Sequence, residues 1–267
     1  MKKALTIAGS DSCGGAGIQA DIKAFSANGV YAMSVITAVT AQNTQGVLYV
    51  QDLEPETIAR QIEAIFDDIK VDAVKIGMVS QIESILTIAK SLNKYKDKLP
   101  HIVLDPVMVS KSGYNLLSKD AKDTLVNNLF PLATLITPNL PEVEEILGYD
   151  IKTIDKMKKA CEDLNKMGVS AVLVKGGHLE DKAWDVLYDG SEFHIFKQEI
   201  INTPNTHGTG CTLSSAIAAN LAKGKSLYEA VKASKEYVTM AIKHSFTIGK
   251  GVGPTHHFYE LYKNSKM

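Results

Sequence analysis

Short apolar runs alternate with helical patterns along nearly the whole chain, and this alternation restricts the fold more than any single motif does. Residues 4–8, 31–39, 47–53, 73–76, 102–104, 135–137 and 171–174 read as strands, rich in apolar and β-branched side chains. Between them lie helical stretches at 18–28 (closed by Gly29), 81–92, 118–129, 141–147 and 154–167. Another opens at Pro55, with Ile58, Ile62, Ile65 and Ile69 on one face. A hairpin follows, 183–188 and 192–196 around Asp189-Gly190. Long helices are expected after Cys211 and over 226–244, with a short one at 256–262. Alternating strands and helices predict an α/β fold of three layers, a mostly parallel central sheet with helices on both faces. No repeat, linker or low-complexity tract divides the 267 residues, so 1–267 is read as a single domain.

Ligands of such sheets bind at the carboxyl ends of the strands. Polar clusters fall at those ends, after Ala8, Val39, Ile76, Leu104, Thr137 and Val174. The richest is Asn205-Thr206-His207-Gly208-Thr209-Gly210-Cys211-Thr212, just ahead of the helical pattern Leu213, Ile217, Leu221. A helix start leaves N–H groups unpaired and carries the positive end of the macrodipole, which together hold an anion, above all a phosphate. Gly208 and Gly210 would let that anion approach the backbone. Cys211 at the mouth is expected to have a lowered pKa and to act as a thiolate. The plainer reading is a tight turn and a small core cysteine.

Other strand-end residues carry paired readings. Asp105, before Pro106, is either a loop cap or a carboxylate that orients a metal ion. Asn139 and Glu142, three apart around Pro141, either cap a helix or face a Mg²⁺–phosphate group. Lys175, before Gly176-Gly177, is a solvated lysine or a cation for a nucleotide phosphate. Gln42 and Asn43 form a solvated turn or grip a polar heterocycle through side-chain amides. His178, His207, His256 and His257 read as surface or supporting residues, since no pair has metal-site spacing. Residues 15–20 fit a dinucleotide fingerprint loosely, but no acidic residue closes the next strand. Gly224-Lys225-Ser226 only imitates the tail of a P-loop, because it follows a helix. An acid, a metal group, a cation and an anion loop at strand ends of one fold are what phosphoryl transfer from ATP needs.

The net charge of −1 gives no case for a nucleic-acid or membrane surface. Cys13, Cys161 and Cys211 lie far apart without zinc spacing, so neither a disulfide framework nor a structural metal is expected. No apolar run approaches the roughly 20 residues that span a bilayer. The chain is expected to be soluble and cytoplasmic.

Seven stretches together resemble the hydroxymethylpyrimidine/phosphomethylpyrimidine kinase family of thiamine biosynthesis, within the ribokinase-like superfamily. They are 4–11, 14–21, Lys75-Ile76-Gly77-Met78, Asp105-Pro106-Val107-Met108, 137–142, Lys175-Gly176-Gly177-His178 and 206–212. The resemblance covers nearly the whole chain. It implies ATP and Mg²⁺, with Gly208, Thr209 and Gly210 around the transferred phosphoryl group. It makes Cys211 the base, where most sugar kinases of the superfamily carry Asp. It places Asp105, Asn139 and Glu142 at the metal and Lys175, Asn139, Glu142 and Thr209 at the nucleotide. The pyrimidine would be held by Gln42 near Ala16, Met78 and Val107, with Asp21 in the same set. A homodimer is implied as well. Two successive phosphorylations are expected, of 4-amino-5-hydroxymethyl-2-methylpyrimidine and then of its monophosphate. A sister group phosphorylates pyridoxal and also has Cys in the loop, and Gln42 favours the pyrimidine. A dead kinase fold that only binds a vitamin is the non-enzyme alternative. Cys13 is unusual in its glycine loop and carries no assigned role.

Overall fold

The computed structural model describes residues 1–108, 117–179 and 182–265. The elements in chain order are β1 (Lys3–Asp11), α1 (Gly17–Ala27), β2 (Tyr31–Asn43), β3 (Gly46–Asp52), α2 (Pro55–Asp68), β4 (Ala73–Ile76), α3 (Ile82–Lys94), β5 (His101–Leu104), α4 (Lys119–Leu129), β6 (Leu135–Ile136), α5 (Leu140–Leu147), α6 (Ile154–Asn165), β7 (Val172–Leu179), β8 (Lys182–Tyr188), β9 (Phe193–Phe196), α7 (Thr209–Ala222), α8 (Leu227–Lys243) and α9 (Tyr259–Asn264). The strands form one sheet in the order β3-β2-β1-β4-β5-β6-β7-β8-β9. From β2 to β7 every pairing is parallel, and β3, β8 and β9 add antiparallel edges.

Successive side chains of the central strands bury on opposite faces, so both faces must be covered. Leu5, Ile7, Val74, Ile76, Ile102 and Leu104 point to one layer, where Ile58 and Ile62 of α2, Ile85 and Ile88 of α3 and Leu125 of α4 meet them. Ala4, Ala73, Val103 and Leu135 point to the other, against Phe25 of α1, Leu213 and Ile217 of α7 and Val231 of α8. Every residue of α7 from Thr212 to Ala222 is buried. Its serines and alanines are small enough to seat a helix between the sheet and its neighbours α1 and α8.

Three sequence expectations change. The polar loop expected at 40–46 is mostly strand: β2 continues to Asn43 because β3 pairs with it down to Asn43↔Gly46. The Asn43 carboxamide accepts the N–H groups of Gln45 and Gly46, and this closes the turn. Polar residues fit there because a two-stranded edge ribbon shows its side chains to water. Similarly, β7 runs past Val174 to Leu179, since β8 pairs along it. Lys175 therefore stands within a strand rather than after one.

Chain order leads from β1 to β2 on one side, whereas β4 lies on the other side of β1. The carboxyl ends of β1 and β4 thus flank a topological switch point, where open α/β sheets hold ligands.

Candidate active site

The anion loop forms as its sequence suggests. Gly208 is the residue before α7, with φ +77°, a conformation that side chains disfavour, and it provides no side-chain cap. A Cβ there would collide with the Gly15 carbonyl, so the loop after β1 and the loop before α7 interlock through bare backbone. The Thr209 hydroxyl donates to the Thr206 carbonyl (2.8 Å) and stiffens the turn.

Two strands deliver charge to this helix start. A Cβ on Gly210 would sit 3.4 Å from both Asp105 Oδ2 and Lys175 Nζ, so a carboxylate and an ammonium flank the first turn of α7. Lys175 Nζ donates to Asp105 Oδ1 at 2.9 Å, Thr137 Oγ1 to the same oxygen at 3.1 Å, and Ser214 Oγ to Oδ2 at 3.4 Å. Burial pushes the Asp105 carboxyl up, but Lys175 and Lys75 outweigh it and hold it below the usual range. Burial likewise pulls Lys175 down, and Asp105 and Glu142 more than restore it.

Asn139 and Glu142 form a reciprocal cap at the start of α5. The Asn139 carboxamide oxygen accepts the Glu142 N–H (2.9 Å), and Glu142 Oε2 accepts the Asn139 N–H (2.8 Å). The capping reading therefore holds, and it also fixes Glu142 inside the site. A backbone bond from Lys175 N–H to the Pro138 carbonyl (2.9 Å) ties this corner to β7. Glu142 is pushed up to about 7, first by burial, against the pull of Lys175, and then by the Asp105 charge. Two buried carboxylates and an amide make an oxygen-only donor set, and Lys175 faces both acids. That is the donor chemistry of a hard divalent cation such as Mg²⁺.

Cys211 departs from expectation. Its thiol is pushed up to about 11, not lowered. Burial is the main cause; Lys75 pulls it down, Asp21 and Asp105 push it up, and the Gly17 N–H pulls it down again. In a pocket that already holds these carboxylates, the helix start does not suffice to ionise a desolvated sulfur.

Asp21 also departs from its expected place among substrate contacts. It is wholly buried, and its carboxylate is taken by Lys75 Nζ (2.9 Å), Thr6 Oγ1 (2.6 Å) and Ser215 Oγ (2.6 Å). This pair ties α1, β4 and α7 together under the anion loop.

The expected substrate residues gather at the ends of β1, β2, β4 and β5. The Met78 methyl lies over Gly9, and its carbonyl accepts from Thr37 Oγ1 (2.9 Å). Val107 follows β5, held by its N–H on the Asp105 carbonyl (2.8 Å). Ala16 precedes α1 and donates its N–H to Asp11 Oδ2 (2.8 Å). Gln42 Nε2 stands 3.2 Å from His207 Nε2, which in turn stands 3.0 Å from Asp11 Oδ2.

Sequence reasoning passed over Asp11 and His207. Burial pushes Asp11 up, yet His207 and the N–H groups of Ala16 and Cys13 hold it well below the carboxylate range. Asp11, Cys13 and His207 bring ligand-type atoms within 4.8 Å of one another. Asp11 Oδ2 already accepts from Gly15 and Ala16, however, so a cation there would face two N–H donors. The available signal was a histidine inside the glycine loop, but its partners are 196 and 165 positions away. His257 was also set aside; it is buried, and its Nε2 meets Thr212 Oγ1 at 2.9 Å.

The family model described as phosphomethylpyrimidine kinase matches residues 11–256. A hydroxymethylpyrimidine/phosphomethylpyrimidine kinase of Rhizobium meliloti is 50% identical over 98% of this chain and 98% of its own length. A thiamine biosynthesis bifunctional protein of Geobacter sulfurreducens is 48% identical over 95% of this chain, which spans only 51% of that relative. Among solved structures, a Bacillus subtilis pyridoxal kinase in an ADP complex superposes with a TM-score of 0.89 at 42% identity, covering 98% of this chain and 99% of that one. Among the described residues no helix is long and apolar enough to cross a membrane.

Proposed function

This chain belongs to the phosphomethylpyrimidine kinase family, and on that premise we propose how its own residues divide the work of the reaction. The activity is ATP-dependent phosphorylation of 4-amino-5-hydroxymethyl-2-methylpyrimidine to its monophosphate and then to the diphosphate, for thiamine biosynthesis. The observation that carries the assignment of residues is the meeting of Asp105, Lys175 and Gly210 at the start of α7.

In our reading, the N–H groups of Gly208, Gly210 and Cys211 face the transferred phosphoryl group, whereas Thr209 gives its N–H to the Thr206 carbonyl (3.3 Å) and shapes the loop; the helix dipole favours the phosphoryl charge. Lys175 adds a full positive charge beside them. These donors are fixed before substrate arrives, so they stabilise the charge that develops in transfer without reorganising. Cys211 acts as a thiolate: it accepts a hydrogen bond from the substrate hydroxyl and takes its proton, becoming a thiol, as the oxygen bonds the γ-phosphorus and ADP leaves. With the thiol held near 11 the thiolate is a minor form, so Cys211 must give up its own proton before it can serve as base. In the second transfer the nucleophile is a phosphate, already deprotonated, so Cys211 contributes little.

Asp105, Asn139 and Glu142 would hold Mg²⁺, whose chemistry is to neutralise charge on the nucleotide phosphates. Gln42, with Ala16, Met78 and Val107, would hold the pyrimidine. A homodimer in the cytoplasm, where ATP is at hand, completes the proposal; sedimentation of the purified chain tests the dimer.

The test of function is a coupled ATP-consumption assay with the hydroxymethylpyrimidine, its monophosphate and pyridoxal side by side. We expect both pyrimidines to turn over and pyridoxal to lag. Strong pyridoxal turnover with no action on the monophosphate would assign the chain to the chemistry of its 42%-identical structural neighbour instead.

A further inference from the structure

His207 sits where three elements meet, and its hydrogen bonds cannot all be satisfied in more than one way. One ring nitrogen, Nε2, faces Asp11 Oδ2 at 3.0 Å and the Gln42 side-chain amide at 3.2 Å. Asp11 is an ionised acceptor, so it requires a hydrogen on that nitrogen. The alternative sets a bare ring lone pair against a carboxylate in a site where both groups are buried. With its hydrogen directed at Asp11, Nε2 cannot accept an N–H from Gln42. Rotating the carboxamide by half a turn removes the conflict. Its oxygen then faces Nε2–H, and its nitrogen faces Thr40 Oγ1, 3.3 Å away across the amide's other end. Thr40 Oγ1 gives its own hydrogen to the Ser10 carbonyl (2.9 Å), so its lone pairs are open to an N–H. Every group in the chain Ser10, Thr40, Gln42, His207, Asp11 is then satisfied.

We propose that His207 is a positioning residue that fixes which end of the Gln42 amide meets the substrate. Its Nε2–H is held by Asp11, turns the Gln42 oxygen inward, and leaves one Gln42 N–H as a donor for a ring-nitrogen acceptor. The occupant this geometry selects is a heteroaromatic ring with an unprotonated nitrogen in the plane of the amide. The inference rests on Gln42 being the residue that reads the ring.

Its test is kinetic and spectroscopic on the full chain. His207→Phe keeps a flat ring and removes the donor. It should raise KM for the hydroxymethylpyrimidine by about ten-fold, the worth of one well-placed hydrogen bond, with KM for ATP unchanged. His207→Gln, whose amide can still donate to Asp11, should recover much of that loss. Combined with Gln42→Ala, His207→Phe should add little, because both changes cut the same contact. Additive losses, or an equal loss on the ATP side, would overturn the role of His207. A Gln42→Ala variant with normal pyrimidine KM would instead refute Gln42 as the reader. Nitrogen-15 NMR of the wild-type histidines gives a readout independent of any variant's folding. His207 should show a hydrogen on Nε2, and a bare Nε2 would overturn the proposal outright.

Discussion

Lys175 of β7 and Asp105 after β5, 70 positions apart in sequence, close a 2.9 Å ion pair against the first turn of α7. The pair is more than a strut. An ammonium placed at a helix N-terminus adds a full positive charge to the field that the dipole already supplies, and Asp105 keeps that ammonium charged inside the protein. Lys175→Met should therefore lower kcat by about 10²–10³ in the coupled assay, the loss seen when one preorganised donor is removed. A loss confined to KM for ATP would make Lys175 a binding residue only.

Glu142 gives a pH signature. Its carboxyl is ordinary near 4.5 in an unfolded chain and rises to about 7 in the fold. Between those values the folded state binds more protons than the unfolded one. The Glu142 contribution to stability is thus full below pH 4.5 and is withdrawn as pH rises through 7. Melting temperature measured across this range should fall less steeply with rising pH in Glu142→Gln than in the wild type. Mg²⁺ affinity should move the other way and climb as pH passes 7, because the ion needs the carboxylate.

Cys211→Ser should separate the two transfers. Single-turnover measurement with the hydroxymethyl substrate should show a fall of roughly 10²-fold or more, the usual contribution of a positioned base. The monophosphate should be phosphorylated at a nearly normal rate. Equal losses in both steps would refute the division of roles. The same thiol, held near 11, should also react with iodoacetamide more slowly at pH 7.5 than free cysteine does. Faster labelling would restore the expectation of a thiolate at rest.

The Lys75–Asp21 pair, fully buried on both sides, predicts a stability effect. Lys75→Met leaves the buried Asp21 carboxyl without its cation, and removing one partner of a buried pair costs about 3–5 kcal/mol. Chemical denaturation should show this loss. It should exceed that of Lys2→Met, whose surface pair with Asp72 is half exposed to water.

Gly208→Ala tests the interlocked loops. The φ of +77° alone disfavours a side chain by about 1–3 kcal/mol, and the added methyl meets the Gly15 carbonyl. Both stability and activity should drop, with KM for both substrates raised, because the two glycine loops shape both sides of the site.

Local pattern alone made the layers of this protein readable. Ala4 to Ile7 alternates between the two cores because strand side chains alternate, and Ile58 and Ile62 share a core because helical residues four apart do. The anion loop was readable for the same reason, since Gly208, Gly210 and the helix after them are neighbours in sequence. Tertiary structure decided what depends on distant partners. Gln42 became a strand residue because β3 paired with it, and Asp21 left the substrate set because Lys75 and Ser215 claimed its carboxylate. The Cys211 thiol went up instead of down because the fold desolvates it among Asp21 and Asp105, and no stretch of sequence around a cysteine states how much water it will lose. His207 acquired its role only when folding placed Asp11 and Gln42 on one ring nitrogen. Propensity and periodicity are short-range properties of the chain, whereas desolvation and hydrogen-bond pairing arise between residues that only the closed fold brings together.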